Sequence, residues 1–130
     1  MATIELTADN FASTIESNDT LFIDFWADWC GPCKMFGPVF EAASDQHDDV
    51  AFAKLDTQAH GQLAGALEIT SIPTLMAFRG GVLVYREAGA MNGDGFEKLI
   101  QAVKDVDIDD VRKQAAEAKA RHESAEGDAQ

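Results

Sequence analysis

A chain of 130 residues with 23 acidic and 10 basic side chains, for a formal net charge of -13, fits one domain. Its core is large enough to remove about two-thirds of the unfolded chain's surface from water. The acidic excess has no basic stripe in it, so it repels a phosphate backbone and argues against nucleic acid as a partner, while favouring solubility and the steering of partners with basic patches. Nowhere do roughly 18 apolar residues run together, so no membrane crossing is expected. The 2 cysteines are too few for a disulfide scaffold, and no basic and then apolar leader follows Met1, which makes a reducing cytoplasm the expected location.

Ile4 and Leu6 suggest a short first strand, after which Thr7 or Asp9 is placed to cap a short helix that turns Phe11 and Ile15 toward the core. Thr20 to Trp26 is almost continuously apolar, as a central strand covered on both faces requires, and Asp28 falls in the loop beyond it. A helix is expected to begin near Cys30 and to run on from Cys33 with Met35, Phe36, Val39, Phe40 and Ala43 on its apolar side. Pro32 falls in the first turn, where a missing N–H is harmless, whereas Pro38 removes an interior hydrogen bond and should bend the helix. Val50 to Leu55 reads as a second core strand and His60 to Leu67 as a short helix with Leu63 and Leu67 on one side. Two further strands, Pro73 to Phe78 and Val82 to Glu87, flank the hairpin turn Arg79-Gly80-Gly81. Phe96, Leu99, Ile100 and Val103 then mark an amphipathic helix. The consistent arrangement is an α/β fold: one mixed sheet with helices on both faces.

Past Val103 the chain changes character. Ile108, Val111, Ala115 and Ala118 keep helical spacing, and Asp109 with Lys113 and Glu117 with Arg121 are spaced for surface pairs, each contributing only about 0.2–0.5 kcal/mol. Residues 1–104 are therefore read as the domain. Residues 105–130 are read as an acidic extension, helical at first and disordered from Glu123 to Gln130, with a docked partner helix as the alternative.

Trp29-Cys30-Gly31-Pro32-Cys33-Lys34 carries both cysteines at a spacing that one helical turn converts into proximity. A structural zinc site draws four Cys or His ligands, yet there is no second cysteine pair and His47, His60 and His122 lie in unrelated contexts. A metal or cluster shared between two chains, or purely structural cysteines, remain alternatives to redox chemistry. On the redox reading Cys30, at the prospective helix N-terminus, holds a thiolate and attacks, while Cys33 lies one turn inward, better shielded, and resolves the mixed disulfide. Gly31 permits close approach. Pro32 stiffens the turn and gives up an N–H that would stabilise the thiolate, which favours a moderately reducing dithiol.

Asp24 interrupts the apolar strand and would cost several kcal/mol if buried charged and unpaired. Alternation puts Phe22, Asp24 and Trp26 on one face, and a neighbouring Ala53-Lys54-Leu55 would bring Lys54 to it as a partner. With a raised pKa, Asp24 is a candidate acceptor for the Cys33 proton; the bland reading is a polar residue at a water-filled defect. Trp29 is read as an exposed platform beside the dithiol, Trp26 as packed beneath it, and Lys34 as a nearby positive charge. Ile72-Pro73 opens a strand, with trans much the commoner isomer at such a bond and cis also available.

Ile23-Asp24-Phe25-Trp26-Ala27, Trp29-Cys30-Gly31-Pro32-Cys33-Lys34, Pro38, Lys54-Leu55-Asp56, Ser71-Ile72-Pro73-Thr74, Phe78-Arg79-Gly80-Gly81 and Gly89-Ala90, in this order, resemble the thioredoxin family over about Ile4 to Val103. The resemblance implies a central mixed sheet of five strands with four flanking helices and a cis peptide before Pro73, opposite the dithiol. It implies a protein disulfide oxidoreductase in which Cys30 attacks, Cys33 resolves, and Asp24 with Lys54 assists proton transfer. Trp29, Gly31, Pro32, Ile72, Pro73, Gly89 and Ala90 would form the docking surface, with the Ile72 backbone pairing to an extended substrate segment. Pro73 would also discourage metal capture.

The resemblance further implies no cofactor on the chain itself and a monomer. Electrons would come from a thioredoxin reductase, usually an NADPH-dependent flavoprotein. They would go to protein disulfides such as those of ribonucleotide reductase, peroxiredoxin or methionine sulfoxide reductase. An oxidase or isomerase, and a binding subunit without turnover, are the rival functions. Three departures bear on partner choice: Thr57 at an often apolar docking position, Leu67-Glu68 for a frequent Tyr-Gly, and the long acidic extension.

Overall fold

The computed structural model describes residues 3–128, with side chains as far as Glu123. Its elements, in chain order, are β1 (Ile4–Glu5), α1 (Phe11–Ser17), β2 (Thr20–Trp26), α2 (Gly31–Gln46), β3 (Ala51–Asp56), α3 (Gly61–Ala66), β4 (Thr74–Arg79), β5 (Val82–Ala88), α4 (Gly93–Lys104) and α5 (Ile108–Asp128). One five-stranded sheet runs β1-β3-β2-β4-β5, with β3 parallel to both β1 and β2, and β4 antiparallel to both β2 and β5.

β2 is flanked on both sides and covered on both faces, which is why its sequence tolerates so little polarity. Leu21, Ile23 and Phe25 face a cluster with Leu6, Ala53, Leu55, Met76 and Phe78, closed by Phe11 and Ile15 of α1 and by Leu63 of α3. Phe22 faces the other way, among Phe36 and Phe40 of α2 and Phe96, Ile100 and Val103 of α4. Phe96 is the hub of that layer, edge-on to Phe22 at 5.5 Å and to Phe36 at 5.3 Å between ring centroids. Such edge-to-face pairs contribute about 0.5–1.5 kcal/mol beyond the area they bury. Asp24 shares the Phe22 face by alternation and is therefore delivered beneath α2.

Several local expectations are corrected. Neither Thr7 nor Asp9 caps α1: Asn10 occupies the N-cap position, and its side chain reaches backward, accepting from Thr7 N at 2.7 Å and donating to Glu5 O at 3.0 Å. Met35 is 73 % exposed although its spacing suits the apolar side, because Phe36 and Phe40 fill the space against the sheet. As the continuing apolar pattern led one to expect, α2 passes Pro38 without ending. At the departure from Tyr-Gly, Glu68 takes φ 58°, the left-handed region that glycine enters without penalty. Arg86 braces this corner, its Nη1 donating to Leu67 O and its Nη2 to Glu68 O, each at 2.7 Å.

The extension is docked at its start. Asp107 Oδ1 accepts from Asp110 N at 2.8 Å and begins α5, Arg79 Nε donates to Val106 O at 2.9 Å, and Arg112 Nε donates to Gly80 O at 2.9 Å. α5 thus rests on the β4–β5 turn; the expected loss of order toward Gln130 falls in part outside the described residues.

Gly80 has φ +61°, and a Cβ there would come within 2.6 Å of Ile108 Cγ2. Gly80→Ala should therefore cost about 1–2 kcal/mol through backbone strain and overpacking. Urea unfolding of Gly80→Ala, Ile108→Ala and the double variant checks this: the double variant should recover the overpacking part and keep the strain.

Candidate active site

β2, the central strand, delivers the chain to its C-terminal end at Trp26. Cys30 N donates to Ala27 O at 3.2 Å, closing a tight turn that leads straight into α2. Cys30 is the N-cap of α2, with Pro32 in the first turn, and its sulfur accepts from Cys33 N at 3.2 Å. Cys30 and Cys33 are joined by a disulfide with their Cα atoms 5.3 Å apart. The expectation that Cys33 is better shielded does not hold at the residue level, since Cys30 is 3 % and Cys33 5 % exposed. Their surroundings separate them instead: Cys30 faces the Ile72 segment, whereas Cys33 lines a cavity that reaches Asp24.

The residues beside Cys30 are open. Trp29 is 70 % exposed, and Gly31 and Pro32 are exposed with it. Across from them the Ile72-Pro73 peptide is cis, and the Ile72 carbonyl oxygen lies 3.5 Å from Cys30 Sγ. Gly89, at φ +112°, donates its N–H to Pro73 O at 2.8 Å, so exposed Gly89 and Ala90 adjoin the same segment. Thr57 turns inward: its Oγ1 donates to Trp26 O at 3.0 Å and secures the end of β2.

Beneath the dithiol, Asp24 stands opposite Lys54 in the β2–β3 register. Asp24 is only 1 % exposed, and neither of its carboxyl oxygens finds a hydrogen-bond partner among the described residues. The expected Asp24–Lys54 pair is not made. Lys54 Nζ lies instead 3.4 Å from Glu41 Oε1 and 5.1 Å from the centroid of the Trp26 ring. Asp24, Cys33, Glu41 and Lys54 line one cavity of about 330 Å³, together with Trp26 and exposed Lys34. Burial pushes the Asp24 pKa up to about 7; Lys54 opposes the shift and Glu41 adds to it. Desolvation wins because the ammonium is held elsewhere.

Glu41 has no place in the sequence reading of the site. The available signal is its spacing, for Cys33, Gly37 and Glu41 fall at successive i, i+4 positions on α2 and all three line the cavity. Among the described residues, no three His, Cys, Asp or Glu side chains converge to hold a metal ion.

A carboxyl favoured in its neutral form stabilises the fold below the unfolded pKa of 3.8, and that contribution is lost as pH rises through about 7. Asp24→Asn, which stays neutral, should therefore match the parent chain near pH 4 and exceed it by roughly 3–4 kcal/mol at pH 8. Denaturant unfolding at the two pH values checks this.

Comparison with known proteins bears on the same constellation. The Thioredoxin family model matches residues 2–105. "Putative thioredoxin 2" of Streptomyces coelicolor is 46 % identical over 120 residues, covering 92 % of this chain and 90 % of that one. The "Bifunctional thioredoxin reductase/thioredoxin" of Mycobacterium leprae is 43 % identical over 106 residues, covering 80 % of this chain and 22 % of that longer protein. Among solved structures, the oxidized form of mitochondrial thioredoxin 3 from Saccharomyces cerevisiae superposes with a TM-score of 0.70 at 37 % identity, covering 77 % of this chain and 94 % of that one. With a disulfide-forming CxxC pair at the head of α2 and a family match across nearly all of the sheet and its helices, the chain belongs to the thioredoxin family of protein disulfide oxidoreductases, and Cys30 and Cys33 are its redox-active pair.

Proposed function

We propose that this oxidoreductase works as a general reductase of protein disulfides, with Cys30 as nucleophile and Cys33 as resolving thiol. The observation that carries the order is the N-cap geometry: Cys33 N points at Cys30 Sγ at 3.2 Å, so backbone donors at the start of α2 stabilise negative charge on Cys30 and not on Cys33. The Cys30 thiolate attacks one sulfur of a substrate disulfide, forms a mixed disulfide and releases the other substrate sulfur as a thiolate that takes up a proton. Cys33 then loses its proton, attacks Cys30 Sγ and expels the second substrate thiolate. Two electrons have passed to the substrate, and the Cys30–Cys33 disulfide is the product state.

Asp24 is the base for the second step. A carboxyl with its pKa near 7 is matched to proton transfer at neutral pH, and the cavity it shares with Cys33 supplies the route, directly or through water. Lys54 tunes that base by charge. The docking surface consists of Trp29, Gly31, Pro32, Ile72, Pro73, Gly89 and Ala90. An extended substrate segment lies along the Ile72 backbone, whose carbonyl borders Cys30 Sγ.

A thioredoxin reductase returns the electrons. Support for this partner comes from the M. leprae relative, named as a fusion of reductase and thioredoxin. Candidate acceptors are ribonucleotide reductase, peroxiredoxin and methionine sulfoxide reductase. The active unit is residues 1–104 and the extension begins at 105. The chain works as a monomeric electron carrier in the cytoplasm; among the described residues, no helix is long and apolar enough to cross a membrane.

Incubation with NADPH, a thioredoxin reductase and a disulfide substrate, read by intact-mass spectrometry, tests the order of attack. Cys33→Ser should accumulate a stable substrate adduct on Cys30, and Cys30→Ser should form none and lose turnover by at least about a thousandfold. An adduct on Cys33 in the Cys30→Ser variant, formed as fast, would reverse the assignment.

A further inference from the structure

We propose that Glu41 is a positioning residue for proton transfer at Asp24: its carboxylate holds the Lys54 ammonium at the outer wall of the cavity, off the buried Asp24 carboxyl, and so keeps that carboxyl a competent base. This rests on the reading of Asp24 as the base for Cys33. The geometry shows one cation with two addresses. The strand register sets Lys54 directly opposite Asp24, so an ion pair between them is within reach of the side chains. The ammonium is nevertheless 3.4 Å from Glu41 Oε1, while both Asp24 oxygens are left without a hydrogen-bond partner among the described residues at 1 % exposure.

Two further contacts fix the outer address. Thr3 Oγ1 donates to the same Glu41 Oε1 at 3.4 Å, and the Trp26 ring lies under the ammonium at 5.1 Å, where its quadrupole attracts a cation. Lys54 and Trp26 also line a second cavity of about 400 Å³, with Glu5 and Asp56. Lys54 therefore borders both the cavity that reaches Asp24 and this second one. The groups facing Asp24 are Cys33, Lys34 and Glu41 from α2 and Lys54 from β3, while β4 brings uncharged Leu75 alongside it.

The consequence is chemical. An ammonium seated on Asp24 would favour its carboxylate and weaken it as a base toward the Cys33 thiol. Parked on Glu41, the same charge acts only from a distance, and Asp24 takes the proton when Cys33 attacks and gives it up toward the cavity once the disulfide has closed. Glu41 acts through Lys54, to which its carboxylate is paired.

The test is a carbon-13 NMR titration of the Asp24 carboxyl in the oxidised full chain, for the parent, Glu41→Gln, Lys54→Met and the double variant. Glu41→Gln should lower the Asp24 midpoint by about half a pH unit or more, because the freed ammonium moves to it. With Lys54 already replaced by Met, the same Glu41→Gln change should move the midpoint by less than half as much, and Glu41→Asp in the parent should retain most of the parent value. The pH profile for resolution of a mixed disulfide on Cys30 should shift in the same direction as the titration. An unmoved or raised midpoint in Glu41→Gln overturns the proposal, and so does an equal shift with and without Lys54. Failure of the underlying reading is seen separately: Asp24→Asn would then leave the resolution rate and its pH profile unchanged whatever the titration gives.

Discussion

The structure turns on a helix that starts on a sulfur. α2 has free backbone donors at its first turn, and one of them, Cys33 N, is spent on Cys30 Sγ at 3.2 Å. A hydrogen bond to a charged acceptor contributes about 1.5–3 kcal/mol, against about 0.5–1.5 kcal/mol for a neutral one, so this contact discriminates between thiolate and thiol. It opposes a real cost, since Cys30 is 3 % exposed and burial disfavours charge. The sheet supplies the rigidity. β2 is locked between β3 and β4, its end is secured by Thr57, and the aromatic layer around Phe96 presses α2 onto it.

The second charge site lies on the same face of the same strand. Phe22 and Asp24 are two residues apart on β2; the first anchors the core and the second puts a carboxyl under the dithiol. Desolvation is the dominant influence on that carboxyl, and the lysine across the strand only moderates it. The balance follows from a choice made by a long, flexible side chain: Lys54 pairs with partly exposed Glu41, where water still solvates both groups, at a smaller desolvation cost than joining Asp24 in the interior. An exposed nucleophile-side surface and a buried proton acceptor are thus built from one strand and one helix.

Most of the scaffold was legible because its signals are redundant. The nearly continuous apolar run of Thr20–Trp26, interrupted by Asp24, marks a strand buried on both faces, the Arg79-Gly80-Gly81 turn marks a hairpin, and both glycines there have positive φ. Alternation, with Ala53-Lys54-Leu55 taken as the neighbouring strand, brought Lys54 within reach of Asp24. What alternation cannot convey is where an ammonium at the end of four methylenes comes to rest, so the Glu41 contact was missed. Met35 misled because helical spacing defines a stripe without saying which of its residues the neighbouring sheet has room for. The docking of α5 depends on a carbonyl and a bare Cα at Gly80, which Arg112 and Ile108 meet, and main-chain surfaces leave little trace in a hydrophobic pattern. Glu68 shows the reverse case, a left-handed position filled by a residue whose identity does not announce it.

The most direct test of the account is the pH dependence of Cys30 alkylation in reduced Cys33→Ser, a variant that keeps the backbone N–H at position 33. The same chain unfolded in urea serves as the reference. If the start of α2 holds the thiolate, iodoacetamide reaches half its maximal rate at a lower pH in the folded protein than in the unfolded one. A midpoint equal to or above the unfolded value would mean that burial outweighs the helix donors, and the assignment of Cys30 as the nucleophile would lose its physical basis.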